Sequence, residues 1–455
     1  MKRCVLSVVA ALLAGGPVIA VSAPSDGAYD VCVVGGGVAG VAAALQAGRA
    51  GARVVLVEQG AQVGGNMTTG GVTWPGLFHA WGRQVIGGCG WALVTNSVAL
   101  AGMELPDFAK DPGGNHWKHQ VRINPALWTA LAEEALVKAG VEIRYHTAPT
   151  KASEEGTGWR VETAACGERR AFAAKVLVDA TGNGTLAALC GAKRMRESVC
   201  QPGGFTYLLD PHADVKDLDI PKLERMRKAA IAEGRLEPDD ICRGIWFLIH
   251  ESNAALSGFA AGVDHGTTIA NYVADADNST AELRTRTNLR GRAAMLRTYR
   301  FLKTLPGLEK TTLVSMSPEV GVRETWRIEG DYVLTGDDYV TGRVFPDSIC
   351  HSFYPIDVHS VEKGVSPRHL ERGVVPTIPL RSLIVKGKRN LLVAGRCLSC
   401  DRTALSALRV QASCMATGQA AGEAATFAAQ RGCDVRETPV DELKRRLRAS
   451  GAIVP

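Results

Sequence analysis

The 455-residue chain has no long basic run, although its formal charge is +6, and Lys2 and Arg3 supply two of those charges. Without a basic stripe, nucleic acid is not an expected partner. After residue 23 no stretch offers about 18 uninterrupted apolar residues, so no stable membrane span is expected in the mature chain. The sequence holds no P-loop, no H-E-x-x-H and no G-x-S-x-G, and so lacks the phosphate cradle, zinc helix and nucleophile elbow that those patterns build. Tight thiol clustering is missing too. Of twelve cysteines only Cys397 and Cys400 form a C-x-x-C, whereas an iron–sulfur cluster takes about four thiolates at close spacing. His116 and His119 stand in a loop without the further ligands zinc takes, so no metal site is expected.

The first 23 residues read as a secretory leader. Lys2-Arg3 is the positive end, Cys4 to Ala14 the apolar stretch, and Gly15-Gly16-Pro17 the break. Val21-Ser22-Ala23 provides the cleavage site, with Ala20 as the alternative because Pro24 follows the first. An exported protein, periplasmic or secreted, is expected. With Cys4 in the leader, eleven cysteines remain, and an odd number cannot all pair.

Glycine is plentiful, at 50 residues, and much of it is clustered. Tyr29 to Val34 is an apolar run suited to a buried parallel strand, and it leads directly into Gly35-Gly36-Gly37-Val38-Ala39-Gly40. This fits G-x-G-x-x-G with a strand before it and an Ala-rich helix, Val38 to Ala50, after it. Gly35 makes the turn, Gly37 lets backbone approach a diphosphate, and Gly40 lets helix and strand pack closely. The helix N-terminus, starting at Val38 and Ala39, offers N–H groups and partial positive charge to phosphate. A second strand, Arg53 to Val57, ends at Glu58, whose carboxylate can accept from a ribose diol, with Gln59 beside it. A second glycine-rich turn, Gly64-Gly65-Asn66-Met67, follows at once; it suits a longer ligand than NAD, one whose tail runs back past the diphosphate.

Two more blocks extend the pattern. Val176 to Asp179 is a strand ending in Ala180-Thr181-Gly182, and Asn390 to Val393 is another ending in Ala394-Gly395-Arg396-Cys397, followed by Leu408-Arg409-Val410 and an Ala/Gly-rich helix through Gly422. With the first block, these resemble the FAD-dependent oxidoreductases that have a glutathione-reductase-like flavin domain, and are similar to fumarate-reductase-like and heterodisulfide-reductase flavoproteins. The resemblance runs coarsely over nearly the whole mature chain. It implies FAD as cofactor, with the A-T-G turn and Gly395 near the diphosphate. It also implies a helix starting near Ser406 to Val410 whose N-terminus faces the flavin pyrimidine and steadies its negative charge. Pro125 to Lys138, capped by Asn124, reads as a helix, Val141 to His146 as the third parallel strand, and residues 159–173 as a β-meander.

From about Lys193 to Gly387 the pattern changes. A helix is expected from Pro221 to Glu233, a strand from Gly244 to His250, and a long capped helix from Ser279 to about Leu305 whose many arginines read as a solvated face. Gly321 to Ile328 resembles a family motif. Arg323 and Arg381 are the candidates to hold an anionic substrate or reduced-flavin charge, and His359, with Tyr354 second, the candidate acid–base group. Each also has a plain structural reading, as an ion pair or a loop contact. Cys397 and Cys400 are read as a structural disulfide or two inert thiols, against a dithiol passing electrons to flavin. The basic segment Val440 to Arg448 is read as a short solvated helix.

The expected fold class is α/β, with a Rossmann-like FAD-binding domain of glutathione-reductase type, discontinuous over 28–195 and 385–430. An α+β substrate or cap domain is inserted at 196–384, and 431–455 forms a tail. The expected reaction is hydride transfer between a small-molecule substrate and FAD, the alternatives being a thiol–disulfide flavoenzyme using Cys397 and Cys400 or a non-catalytic nucleotide-binding protein.

Overall fold

The structure is a computed structural model that describes residues 27–110, 112, 115–210, 220–240, 267–360, 364–365 and 367–455. The leader and the expected strand at 244–250 lie outside the described residues. The chain opens with β1 (Tyr29–Val34), α1 (Val38–Arg49) and β2 (Val54–Val57). After α2 (Pro125–Lys138) come β3 (Glu142–Arg144), β4 (Ala148–Glu155), β5 (Gly158–Ala165) and β6 (Glu168–Asp179). Their order in one sheet is β3-β2-β1-β6-β5-β4. The strands β3, β2, β1 and the C-terminal half of β6 run parallel, and β4, β5 and the N-terminal half of β6 form an antiparallel meander.

Period-two side-chain alternation explains the burial. Val31, Val33, Val54, Leu56, Val176 and Val178 point into one apolar cluster, while Cys32, Val34, Val55, Val57 and Leu177 point into a second on the other face. A parallel sheet covered on both faces needs this near-continuous apolar composition. The helix α2 starts where expected because Asn124 Oδ1 accepts from the N–H groups of Ala126 and Leu127 and Pro125 occupies the first turn. The segments expected at 169–173 and 176–179 are one 12-residue strand, whose two halves have different neighbours.

The inserted region carries a three-stranded antiparallel sheet of β7 (Gly203–Asp210), β8 (Thr267–Val273) and β9 (Thr312–Met316), ordered β8-β7-β9. Against it lies α3 (Ala281–Leu302), capped by Thr280. Phe205, Tyr207, Leu209, Met295, Phe301 and Leu302 make this unit's own apolar cluster. Leu334, Tyr339, Ile349, Ile378, Leu383 and Ile384, within the stretch expected as cap, pack into the main cluster ahead of the returning strand. The arginine face of α3 is only partly solvated, since Arg284 holds Glu319 bidentately and Arg297 holds Asp240.

The return is made by β10 (Leu391–Val393), which pairs parallel with the C-terminal end of β6. Next come α4 (Arg402–Leu408), α5 (Gln411–Arg431) and α6 (Val440–Ala449). Along the α1–α5 crossing, Gly418 and Gly422 sit so near the Ala39 and Ala43 carbonyl oxygens that a Cβ at either would be 2.1 or 2.2 Å from them. The last helix is not a solvated tail. Leu443 and Leu447, one turn apart, are fully buried on its inner face, Arg446 reaches the buried Glu423 and lies over the Phe427 ring, and Arg445 and Arg448 are exposed. Among the described residues no helix is long and apolar enough to cross a membrane.

Candidate functional site

At the end of β1 the backbone turns at Gly35, whose φ of +100° and an Ala180 carbonyl oxygen 2.5 Å from any added Cβ admit only glycine. Gly37 caps α1, and a Cβ there would meet nothing within 4 Å, so the helix N-terminus opens onto free space. Glu58 accepts from the N–H of Gly36 at 2.5 Å and of Gly60 at 2.6 Å, which fixes its carboxylate at the end of β2. On the neighbouring strand, buried Asp179 accepts from the backbone and hydroxyl of Thr181 and from Ala187 N–H, which shapes the turn at Ala180 to Gly182.

These turns line one cavity of about 390 Å³. It gathers Gly35, Gly37, Val38, Ala39, Glu58, Gln59, Gly64, Gly65 and Asn66 from the first block, Ala180, Thr181 and Gly182 from the second, and Gly395, Arg396 and Arg409 from the third. Four expected residues do not line it. Gly40 is packed beneath the Gly35 carbonyl, Met67 and Leu408 are fully buried, and Val410 faces Gly76. Sequence reading missed Asn183, Thr185, Asn278, Ser279, Thr280, Arg284, Glu319, Val322, Gln411 and Cys414. Asn183 could have been found, since it follows the A-T-G turn; Asn278 and Glu319 carry no local signal.

The helix expected to start near Ser406 to Val410 does so at the late end of that range. The helix α4 ends at Leu408, and α5 begins at Gln411 with Val410 as its N-cap, so Gln411 meets the cavity. Three buried polar atoms of lining residues, Arg409 Nε, Gln411 Oε1 and Asn278 Oδ1, have no partner among the described residues. Buried polar groups are normally satisfied, and a polar ligand in the cavity would satisfy these. Arg396 donates to Asn183 Oδ1 and Thr325 Oγ1, and burial pulls its pKa below the ordinary value.

Beside the Arg409 end of the cavity lies a titratable cluster. His359 Nε2 is 2.9 Å from Asp357 Oδ2, and its Nδ1 is 2.9 Å from Tyr272 Oη. Arg409 donates to the Asp357 carbonyl at 3.0 Å, and the Arg323 guanidinium lies 5.3 Å from the centre of the Tyr272 ring. Burial, reinforced by the Arg323 and Arg409 charges, pushes His359 down to about 4 against the opposing Asp357 hydrogen bond. Burial alone would raise Asp357, but its bond to His359 and the Arg409 and Arg323 charges hold it at about 2. Tyr354, which accepts from Gln120 and feels the Asp357 charge, is pushed up to about 12, mainly by burial. His359, Arg323 and Tyr354 therefore share one neighbourhood.

Arg381 does not join them. Its short turn buries Leu380 and Ser382 and sends residue 381 outward, 47% exposed, to pair with Asp347 at 3.0 Å. The group missing from the sequence reading is Tyr272, together with Asp357. Cys397 and Cys400 are both free and fully buried, and burial pushes both thiols up, which agrees with the reading of two unreactive thiols rather than a disulfide.

A parallel sheet whose two strand–turn blocks and returning strand close on one cavity has the architecture of a dinucleotide-binding α/β protein. The chain belongs to the FAD dependent oxidoreductase family, whose model matches residues 30–447, and FAD is its cofactor. No curated protein matches the chain. Among solved structures it is similar to p-nitrophenol 4-monooxygenase PnpA from Pseudomonas putida DLL-E4, at 14% identity over 94% of this chain and 87% of that one, with a TM-score of 0.41. It is also similar to a geranylgeranyl bacteriochlorophyll reductase-like protein from Thermoplasma acidophilum, at 12% identity over 93% and 84%, with a TM-score of 0.41. A third is the myxobacterial chondrochloren halogenase CndH, at 14% identity over 93% and 79%, with a TM-score of 0.41.

Proposed function

We propose that the chain moves a hydride between a small organic substrate and FAD, with the substrate held beside Arg409. The observation that carries this reading is Arg409 itself, which lines the cofactor cavity and hydrogen-bonds Asp357 of the titratable cluster, so the two sites are contiguous. When bound, FAD supplies a hydride acceptor or donor at its ring nitrogen N5. The residues present fit it. The N–H groups at the start of α1 would hold the diphosphate, Glu58 the ribose, and Arg396, Arg409 and Gln411 the more distant polar atoms. Asn66 accepts from Val322 N–H and donates to the Val322 carbonyl, tying the second glycine turn to the cap.

Purified protein should be yellow, and anaerobic screening against organic acids, sugars, alcohols and amines should find a compound that bleaches it. Protein that stays colourless and takes up no added FAD would end this reading. Glu58→Ala removes one charge-assisted acceptor, so FAD retention should fall about tenfold to a hundredfold, read by cofactor titration.

A further inference from the structure

We infer that the side-chain oxygen of Gln411 accepts the ring N–H of the flavin, the N3–H that stands between two carbonyls of its pyrimidine ring, and so selects and orients that ring. This rests on the placement of FAD given above and not on the reaction.

The sheet and the helix crossing say which half of the dinucleotide reaches Gln411. The parallel strands β2, β1, β6 and β10 are neighbours in that order. Just past their C-terminal ends stand Glu58, Gly35, Ala180 and Gly395, all of which line the cavity. Glu58 suits the ribose of the adenosine half, and the start of α1 suits the diphosphate. The other half of the ligand then runs past β6 and β10, away from Glu58. Gly418 packs on Ala39 and Gly422 on Ala43, so α5 runs parallel to α1. Gln411, the first residue of α5, is seven positions before Gly418 and thus stands roughly 10 Å beyond the start of α1. That is the side on which the flavin half lies.

The Gln411 amide has one allowed orientation. Its nitrogen is 2.8 Å from the Val72 carbonyl oxygen, which can only accept, so Nε2 faces Val72 and Oε1 is turned the other way. Gln411 lines the cavity, is 7% exposed, and its Oε1 has no partner among the described residues. Two positions earlier, Arg409 also lines the cavity, and its buried Nε–H has no partner among them either. An unmet acceptor and an unmet donor this near in the chain suit a ligand edge that holds an N–H beside a carbonyl. A phosphate has no N–H, and sugar hydroxyls rotate freely and hold no fixed pair. The flavin pyrimidine holds the pair rigidly: N3–H donates to Gln411 Oε1, and a flanking carbonyl accepts from Arg409 Nε–H. A flavin without that hydrogen would leave Oε1 buried and unsatisfied.

The test titrates the full chain, freed of flavin, with FAD and with N3-methyl-FAD, in which a methyl replaces the hydrogen. The wild type should prefer FAD by about 100-fold or more. Gln411→Met keeps the length of the side chain and deletes the acceptor. It should bind FAD about tenfold more weakly, and its preference for FAD over the methyl analogue should shrink by about tenfold. NMR of bound FAD labelled with nitrogen-15 at N3 reads the bond itself, and a purely structural role through Val72 would leave it unmoved. The N3–H proton should be protected from exchange in the wild type and should shift upfield in Gln411→Met. Equal binding of the two flavins, or an N3–H that exchanges freely with water, overturns the inference. So does an equal preference in both chains, or an N3–H resonance that Gln411→Met leaves in place, which would assign the acceptor to a backbone carbonyl. If Gln411→Met does not fold, the wild-type preference and the protection of N3–H decide. A wild-type chain that takes up neither flavin fails the placement of FAD instead.

Discussion

A chain carrying Gly40→Ala should purify without flavin colour and unfold at a lower denaturant concentration. The added methyl would sit 1.7 Å from the Gly35 carbonyl oxygen and 3.2 Å from the Ala180 Cβ. Neither neighbour can yield cheaply. Gly35 is locked in a left-handed turn against Ala180, and the start of α1 is crossed by α5 at Gly418. Overpacking against fixed backbone costs on the order of 3 kcal/mol or more, a large part of the roughly 5–15 kcal/mol that holds a domain together. The displaced helix end would also no longer present its N–H groups to the diphosphate. Gly37→Ala separates the two effects. Its φ of −63° suits alanine and its Cβ position is open, so the apoprotein should unfold near the wild-type midpoint while FAD affinity falls on the order of 100-fold or more. Urea unfolding and FAD titration of both variants decide this; a Gly40→Ala protein that binds FAD normally would refute the packing argument.

Stability should drop steeply as the pH falls from about 6.5 toward 4. His359 is held at about 4 in the folded chain, against an ordinary 6.5, first by burial and then by the nearby guanidiniums. Between those values the unfolded chain binds a proton that the folded chain refuses. The stabilisation is therefore complete above about 6.5 and is lost as the pH descends to about 4. For one such group this amounts to on the order of 3 kcal/mol. His116, lowered to about 4 by burial and by His369, acts in the same direction over the same range. Asp357, depressed to about 2, adds a further loss as the pH falls from 3.8 toward 2. Unfolding free energies at pH 7.5 and 4.5 should differ by several kcal/mol, and His359→Gln should remove about 3 kcal/mol of that difference. An unchanged pH slope in the variant would show that His359 is not held neutral.

The nucleotide half was legible because its chemistry is carried by contiguous backbone. Gly35, Gly37, Glu58, Gly182 and Gly395 sit where they do because each ends a strand, and β1, β2, β6 and β10 bring those ends to the same edge. The substrate half was legible only in part. Arg323 and His359 were visible as charge and imidazole in unusual motifs, but nothing local distinguishes them from Arg381, which a short turn delivers to the surface. Tyr272 was invisible as a neighbour of His359 because it lies 87 positions from the imidazole it contacts. The last helix was misread for a similar reason. Its composition is basic, and only the surface it meets reveals that Leu443 and Leu447 are core residues.

The sequence by itself determined the α/β class and the FAD-type cofactor. Alternating apolar strands and glycine turns encode a diphosphate site through main-chain geometry, which needs no distant partner. Only the tertiary structure decided that Arg323 and His359 lie close together while Arg381 turns to the surface, and that His359 meets Tyr272 and Asp357. Those placements are set by contacts between residues far apart in the chain, and the local pattern does not contain them.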